Sequence, residues 1–242
     1  MKKGILFKMK MRINKFLAHC GLASRRKCEA YILDARVSVN GEIITDLSFS
    51  INLNDKVEVD GNKISIPKTY EYFLLHKPKG YICSSSDELG RKNVTELIKS
   101  KHRIYSVGRL DKDTTGLVIL TDDGDFANKI LHPKYRIERK YYAYTKEQLT
   151  LEDVSKIKKG IFLSRGERVQ ADIKHMDYIK GKHKWRIILK EGKNREIRRI
   201  FLRFDIKVYN LHRYAFGGLT LKGIDKGKSK KVTEKIIKSI IK

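Results

Sequence analysis

Apolar residues near the start of the chain recur at helical spacing and predict two short helices. The first covers residues 12–20, and Gly21 can end it in a left-handed turn. Ser24 is placed to cap the second helix, which we expect over residues 25–35. Both segments are amphipathic, so each should bury one face against the rest of a small unit.

A small sheet is predicted directly after these helices. Apolar and polar residues alternate on both sides of Asn40-Gly41, the dipeptide most typical of a tight β-hairpin turn. A further alternating strand is expected over residues 57–61. Because Pro67 and Lys68 mark a change of pattern, we assign the two helices and the hairpin sheet to one domain over residues 11–67.

Longer strands and helices follow, and they predict a larger α+β domain over residues 68–242. Asp125, Thr150 and Asn194 are placed to cap three of its helices. The predicted helices cover residues 125–131, 151–159, 195–204 and 233–242. The predicted strands cover residues 72–75, 103–107, 116–121 and 141–144, with a hairpin over 169–176 and 184–189.

The charge of the chain requires an acidic partner. Lys and Arg number 54 against 28 Asp and Glu, which gives a net charge of +26 and a pI near 9.9. Basic residues concentrate in residues 1–31, 184–203 and 222–242, a clustering typical of nucleic-acid-binding surfaces. No apolar run reaches the roughly 18 residues of a membrane span, and the three cysteines form no CxxC pair. We therefore expect a cytoplasmic protein without a membrane segment or a structural zinc site.

The second predicted helix carries positive charge where the helix dipole disfavours it. Arg25, Arg26 and Lys27 fill its first turn, and these side chains together with the free amide groups can bind a phosphate backbone. Residues 11–61 resemble the S-four-like (αL) RNA-binding module first known from a small-subunit ribosomal protein. The resemblance implies that Lys15 joins these three residues in contacting RNA. It rests on Asn14-Lys15-Phe16-Leu17-Ala18, Ala23-Ser24-Arg25-Arg26 and Val37-Ser38-Val39-Asn40-Gly41.

An acidic loop interrupts the basic chain between two predicted strands. A predicted strand precedes the loop, and the next predicted strand begins at Gly116. Asp111 can therefore project from a rigid frame into a cleft, where it would act as a nucleophile. A calcium loop is the alternative, because Asp111, Asp113 and Asp122 fall on ligand positions of an EF-hand. However, Thr115 occupies another ligand position, and a strand rather than a helix follows. The pattern favours a catalytic carboxylate, and we predict no metal site.

Residues 108–124 are similar to the catalytic loop of the pseudouridine synthases that modify ribosomal RNA. This family groups the small-subunit synthase A with the large-subunit synthases B, E and F, and every position of its pattern GRLDxxTxGLVILTxDG is present. A second family element, in which a strand ends in basic-x-Tyr, resembles Arg139-Lys140-Tyr141. A third resembles Gly192-Lys193-Asn194-Arg195-Glu196-Ile197-Arg198-Arg199. The three elements occur in the family's order.

The resemblance implies an enzyme that needs no cofactor and isomerises a flipped uridine of folded ribosomal RNA. It further implies a mixed, mainly antiparallel sheet, flanked by helices, with a central catalytic cleft. Asp111 would act as the nucleophile, either by attacking the sugar or by assisting formation of a glycal. Arg198 would keep Asp111 ionised, and Tyr141 would stack on the target base. The remaining substrate-binding residues would be Arg109, Ile197, Arg195 and Arg199.

The Asn194-Arg195-Glu196 sequence is closer to the B-type synthases of large-subunit RNA than to the synthases of small-subunit RNA, in which His-Gln is usual. We therefore favour large-subunit RNA as the substrate and keep small-subunit RNA as the alternative. A ribosome-assembly factor without catalysis explains the charge and the N-terminal module but not the acidic loop. A metal-dependent nuclease that uses Asp111 and Asp113 is a third candidate. We expect a monomer whose partner is ribosomal RNA or a ribosome assembly intermediate.

Overall fold

The computed structural model describes residues 10–52, 54–84, 87, 89–163 and 166–241. The backbone separates into two compact units. The first contains the described residues up to Tyr70 together with Ser100–Arg103, and the second contains Glu71–Lys99 and the chain from Ile104 onward. The first nine residues of the basic N-terminal stretch lie outside the described residues.

The first unit packs two helices and several short antiparallel strands around one core. Ile13, Leu17, Ile32 and Val37 are each completely buried in this core. The elements are β1 (Lys10–Arg12), α1 (Ile13–His19), α2 (Arg25–Leu33), β2 (Val37–Val39), β3 (Glu42–Ile43), β4 (Ser50–Asn52), β5 (Val57–Val59) and β6 (Asn62–Lys63). The hydrogen-bonded strand order is β3-β2-β5-β6, and β1 pairs with β4.

The turn and capping residues of this unit act as the sequence predicts. The hydroxyl oxygen of Ser24 accepts a hydrogen bond from the backbone N–H of Lys27 at 3.3 Å, which caps α2. Asn40 and Gly41 have φ values of 54° and 93°, and a two-residue hairpin turn of this type requires positive φ at both positions. The two predicted helices and the hairpin are therefore confirmed.

The second unit is built on one mixed sheet. Its strands are β7 (Tyr72–Lys77), β8 (Tyr105–Val107), β9 (Thr115–Thr121), β10 (Arg139–Thr145), β13 (Asp172–Ile179), β14 (Lys182–Leu189), β15 (Val208–Phe216), β16 (Leu219–Thr220) and β17 (Ser229–Val232). Among the described residues these nine strands join in the order β13-β14-β10-β15-β9-β7-β17, with β8 beside β9 and β16 beside β15. All their pairs are antiparallel except β15 with β9. A separate pair is formed by β11 (Ile161–Phe162) and β12 (Arg168–Val169).

Four α-helices of the second unit are described: α3 (Gly124–Leu131), α4 (Leu151–Lys159), α5 (Glu196–Leu202) and α6 (Glu234–Lys238). Thr150 caps α4 through a reciprocal capping box with Asp153, as predicted. The prediction that Asp125 caps α3 is wrong. The carboxylate of Asp123 accepts the hydrogen bond from the N–H of Phe126 at 2.9 Å, so the cap lies two residues earlier and the helix begins at Gly124.

The two halves of the sheet differ in how they are covered. In β9 every residue after Thr115 is buried, so both faces of that strand are packed. In β10 and along most of β14, buried residues alternate with partly exposed ones, which means that one face is packed and the other meets solvent. The packed face carries Trp185 and Ile187, and Phe201 of α5 packs against Trp185 in the main core.

Candidate active site

The acidic loop is held between β8 and β9 at the middle of the sheet. The loop continues directly into β9, which runs parallel to β15 with Gly116 opposite Arg213. Gly116 has a φ of 118°, and a Cβ atom there would lie 2.2 Å from the backbone oxygen of Arg213. Only glycine allows this close approach, so the strand after the loop can enter the sheet at this position.

A buried lysine fixes the shape of the loop. Lys77, at the end of β7, is completely buried, and its ammonium group donates hydrogen bonds to the carbonyl oxygens of Lys112 and Thr114 at 3.2 and 2.8 Å. It also donates to the carbonyl oxygen of Pro78 at 3.0 Å. Burial lowers the pKa of Lys77, and the nearby Asp113 and Asp111 oppose that shift. Three carbonyl oxygens thus satisfy a lysine that solvent cannot reach.

Asp111 lies between two guanidinium groups that come from the start of α5. The Nη1 atom of Arg195 is 3.3 Å from Oδ2 of Asp111, and the Nε atom of Arg198 is 3.8 Å from the same oxygen. The side chain of Arg198 is 15% exposed and that of Arg195 is 51% exposed. Arg198 is therefore the better shielded of the two cations.

Arg198 has hydrogen-bonding capacity to spare. Its Nη1 atom donates to the carbonyl oxygen of Val208 at 2.6 Å. In the part of the chain that the structure describes, its Nε and Nη2 atoms are buried without a hydrogen-bond acceptor. Burial lowers the pKa of Arg198, Arg195 lowers it further, and Asp111 raises it. Arg198 thus lies beside Asp111 with two buried donors that no described acceptor satisfies.

The start of α5 differs from the sequence prediction. Arg195, rather than Asn194, occupies the N-cap position, with a left-handed φ of 47°, and the helix runs over Glu196–Leu202. The carboxylate of Glu196 accepts a hydrogen bond from the backbone N–H of Lys193 at 2.9 Å, which closes the turn before the helix. Burial raises the pKa of Glu196, and its bond to Lys193 opposes that shift. The prediction of an Asn194 cap is wrong because the Glu196 side chain closes this turn.

A cavity of about 480 Å³ opens beside Asp111. Four residues singled out from the sequence line it together with Asp111: Arg109, Tyr141, Arg195 and Ile197. Tyr141 and Ile197 are buried, and both belong to the main core as well as to the cavity wall. The structure thus brings residues from the acidic loop, β10 and α5 to one hollow.

Other predicted residues lie elsewhere. Arg199 points away from Asp111, since its guanidinium group pairs with Glu167 and donates to the carbonyl oxygen of Asn194 at 3.2 Å. Lys15, Arg25, Arg26 and Lys27 belong to the first unit, where the last three side chains are exposed at the start of α2 and Lys15 is partly buried in α1.

Sequence reasoning missed several residues that shape the site. Arg139 and Arg213 line the cavity, are buried, and place their guanidinium carbons 5.1 and 5.3 Å from the centre of the Phe216 ring. Arg139 is the basic residue of the basic-x-Tyr element, so the sequence could have indicated it as a site residue. This element lies at the start of β10 and not at the end of a strand. Lys77 and Arg213 gave no such signal, because a charged residue in a strand reads as exposed.

The described residues provide neither a cluster of metal ligands nor a membrane-spanning helix. They contain no group of three or more His, Cys, Asp or Glu side chains placed to hold a metal ion. They also contain no helix that is both long and apolar enough to cross a membrane.

Comparisons with known proteins agree with this architecture. Residues 71–203 match the family model for RNA pseudouridylate synthase, and residues 11–57 match the S4 domain. The chain is 39% identical over 232 residues to ribosomal large subunit pseudouridine synthase B of Bacillus subtilis (strain 168), covering 95% of each chain. It is 38% identical over 231 residues to an uncharacterized RNA pseudouridine synthase of Aquifex aeolicus (strain VF5), covering 93% of this chain and 92% of the relative.

A solved structure of a pseudouridylate synthase superimposes with a TM-score of 0.69 at 27% identity, covering 96% of this chain and all of that one. The acidic loop, the mixed sheet and the RNA-binding module that precedes them in the chain thus define one class of RNA-modifying enzyme. The chain belongs to the RNA pseudouridine synthase family, and its N-terminal module is an S4 domain. The fold class and the enzyme class implied by the sequence resemblance are confirmed.

Proposed function

We propose that this enzyme isomerises one uridine of ribosomal RNA, in the large subunit, with Asp111 as its nucleophile. The observation that carries the proposal is the position of Asp111, which faces a cavity and lies within ion-pair distance of Arg195 and Arg198. The large-subunit choice is supported by the Asn194-Arg195-Glu196 sequence and by the stated substrate of the Bacillus subtilis relative. Small-subunit RNA is the alternative substrate.

The reaction sets clear demands on the site. The bond from N1 of uracil to C1′ of ribose breaks, a bond from C5 to C1′ forms, C5 loses a proton and N1 gains one. The product is an isomer of the substrate, so no oxidant, reductant or group donor is consumed. The protein must supply a charged group beside the sugar, a wall for the base and a path for the proton.

Asp111 supplies the charged group in this proposal, by attack on C1′ or by assisting a glycal intermediate. A carboxylate that is covered by substrate tends to take up a proton, because burial disfavours its charged form. Arg198 counters this tendency, since it is fixed to the Val208 carbonyl oxygen and stays shielded from water. Arg198 does not itself line the cavity, so in this proposal it acts on Asp111 and not directly on the substrate.

The cavity walls hold the flipped base. Tyr141 stacks on the uracil ring, and Ile197 packs against it from α5, both from fixed positions in the core. Arg109 is exposed at the cavity wall, where it binds a phosphate or fills the place that the flipped base leaves. Arg199 is proposed to contact RNA outside the cavity, after exchanging Glu167 for a phosphate group.

The first unit anchors the RNA in this proposal. Arg25, Arg26 and Lys27 lie exposed at the start of α2, where their side chains and the helix amides meet the phosphate backbone, and Lys15 adds a contact from α1. Flipping a base costs about a few kcal/mol, and distributed phosphate contacts offset that cost. The enzyme acts as a monomer in the cytoplasm, on ribosomal RNA or an assembly intermediate.

The experiment compares two transcripts, large-subunit and small-subunit ribosomal RNA, each tritiated at C5 of uridine. The proposed function predicts release of tritium to water from the large-subunit transcript, with and without EDTA, and no strand cleavage. Release from the small-subunit transcript alone would reverse the substrate assignment. Tight binding to both transcripts without release would favour an assembly factor, and EDTA-sensitive cleavage would favour a nuclease.

A further inference from the structure

The exposed half of the sheet in the second unit carries aromatic and basic side chains together. On β10, β14 and β15 the partly exposed positions include Tyr142, Lys184 and Tyr214. The rings of Tyr142 and Tyr214 stack with their centres 4.3 Å apart, and the Lys184 ammonium group lies 4.3 Å from the centre of the Tyr142 ring. This face is opposite to the packed face that carries Tyr141.

A third aromatic residue on this half of the sheet, Tyr209, is surrounded by three lysines. The ammonium groups of Lys146, Lys182 and Lys207 lie 5.4, 5.6 and 5.4 Å from the centre of the Tyr209 ring. Tyr209 is the extra residue of a β-bulge, since Tyr144 pairs with Asn210 and the next residue of β10 already pairs with Val208. Bulges of this kind redirect a side chain, and here the bulge places Tyr209 among the lysines.

The charge around Tyr209 is not neutralised within the protein. Among the described residues no carboxylate lies within ion-pair distance of Lys146, Lys182 or Lys207. By contrast, Lys140 and Arg186 elsewhere on the same face pair with Glu138 and Asp172. Three like charges converging on one spot repel one another, so an anionic partner is favoured there.

The lysine cluster is close to the catalytic residues along the chain. Val208, the neighbour of Tyr209, accepts the hydrogen bond from Arg198, whose Nε atom lies 3.8 Å from Asp111. Val208 is buried on the packed side, whereas Tyr209 is partly exposed. One peptide bond therefore separates the acceptor of the Arg198 hydrogen bond from the tyrosine at the centre of the lysine cluster.

We propose that Tyr209, Lys146, Lys182 and Lys207 form a second RNA contact, which binds an unpaired nucleotide next to the flipped uridine. The tyrosine ring stacks on a base, and the lysines bind the flanking phosphates. Proteins that bind single-stranded nucleic acid combine these two features. An RNA strand supplies a base that can stack on the Tyr209 ring and phosphates that can neutralise the three lysines. The inference rests on the proposed RNA substrate but not on the role given to Asp111.

The test uses the full-length protein with a ribosomal RNA fragment that contains the modified uridine. One variant combines Lys146→Gln, Lys182→Gln and Lys207→Gln. Its matched control combines Lys92→Gln, Lys99→Gln and Lys159→Gln, three exposed lysines of the same unit that lie outside the basic stretches 184–203 and 222–242. Both variants lose three positive charges, so a difference between them reports position rather than net charge.

The dissociation constant is measured across a series of salt concentrations. For the Lys146, Lys182 and Lys207 variant we expect binding weakened about 10- to 100-fold, and a salt dependence reduced by roughly 2 in the slope of log Kd against log salt. Tyr209→Leu should weaken binding roughly 5- to 50-fold, and Tyr209→Phe should bind like the wild type, because stacking needs the ring and not the hydroxyl group.

The rate of tritium release at saturating RNA separates this inference from the proposed function. We expect that rate to stay unchanged in the lysine variants, which also shows that they fold. If the two triple variants bind RNA equally well, the second contact is overturned and the surface is better suited to an acidic protein. If the wild type releases no tritium, the proposed function fails, but the binding comparison still decides the contact.

Discussion

Arg195 donates a hydrogen bond from Nη1 to Oδ2 of Asp111 at 3.3 Å, whereas the more deeply buried Arg198 stays at 3.8 Å from the same oxygen. The shorter contact is the more exposed one. An ion pair in contact with water is screened and weak, while a shielded cation keeps its effect on a neighbouring carboxylate. The two arginines are therefore expected to contribute unequally to the reaction.

The first prediction compares these two arginines. Arg198→Met should lower the single-turnover rate at saturating RNA by about 100-fold or more, because it removes the shielded charge beside Asp111. Arg195→Gln should lower the rate only about 2- to 5-fold, and this effect should shrink as salt is added. A larger loss in Arg195→Gln than in Arg198→Met would contradict the assignment of Arg198 as the main partner of Asp111.

The second prediction concerns Lys77, which holds the catalytic loop. Lys77→Met removes the ammonium donor from the carbonyl oxygens of Lys112 and Thr114, and the latter is buried, so the free energy of unfolding should fall by about 1–3 kcal/mol. The loop would also lose its fixed shape, so the catalytic rate should fall about tenfold or more. Urea unfolding and single-turnover kinetics measure the two effects.

Lys79→Met is the matched control for this change, because Lys79 is exposed and its ammonium group donates a hydrogen bond to the Asn210 side chain at 3.2 Å. It should unfold within ~0.5 kcal/mol of the wild type. Equal stability of the two methionine variants would show that the hydrogen bonds of Lys77 do not hold the loop.

The third prediction concerns Gly116. Gly116→Ala places a methyl group 2.2 Å from the backbone oxygen of Arg213, which can give way only if β9 and β15 separate. We expect a loss of more than ~3 kcal/mol in the free energy of unfolding, or no folded protein at all. Gly223→Ala is the control: its φ is 71°, but no atom lies within 4 Å of the added carbon, so it should lose only about 1 kcal/mol. Similar losses in both variants would contradict the clash.

The fourth prediction follows from the raised pKa of Glu196, which results mainly from burial. Above the ordinary value of 4.5 the unfolded chain has released this proton while the folded protein still binds it, so stability falls as pH rises through this window. Glu196→Gln removes the titrating group. The free energy of unfolding of the variant relative to the wild type should therefore increase between pH 4 and pH 8, as measured by urea unfolding. A difference that stays constant or decreases would contradict the shift.

Local signals in the sequence predicted much of the fold. Ser24 and Thr150 cap helices where the pattern places them, and Asn40-Gly41 forms the expected turn. The errors fall where two capping groups compete. Asp123 and Asp125 are both able to cap α3, and the choice depends on which carboxylate reaches the N–H of Phe126, which the sequence does not encode locally.

The site residues that stand in sequence motifs were predicted, whereas a residue whose role depends on backbone groups far along the chain was not. Asp111, Tyr141 and Ile197 stand in three separate motifs, and the structure places all three at one cavity. Lys77 was missed because its acceptors lie in a loop 35 and 37 residues further along the chain. A lysine reads as exposed until the carbonyl oxygens that satisfy it are located.

The central claim is that the carboxylate of Asp111 is required for the chemistry and not for RNA binding. The most direct measurement is single-turnover release of tritium from RNA labelled at C5 of uridine, with Asp111→Asn compared with Asp113→Asn, an exposed residue of the same loop. We expect Asp111→Asn to bind RNA like the wild type and to release no tritium, while Asp113→Asn releases it at close to the wild-type rate. Release by Asp111→Asn at the rate of Asp113→Asn would contradict the claim.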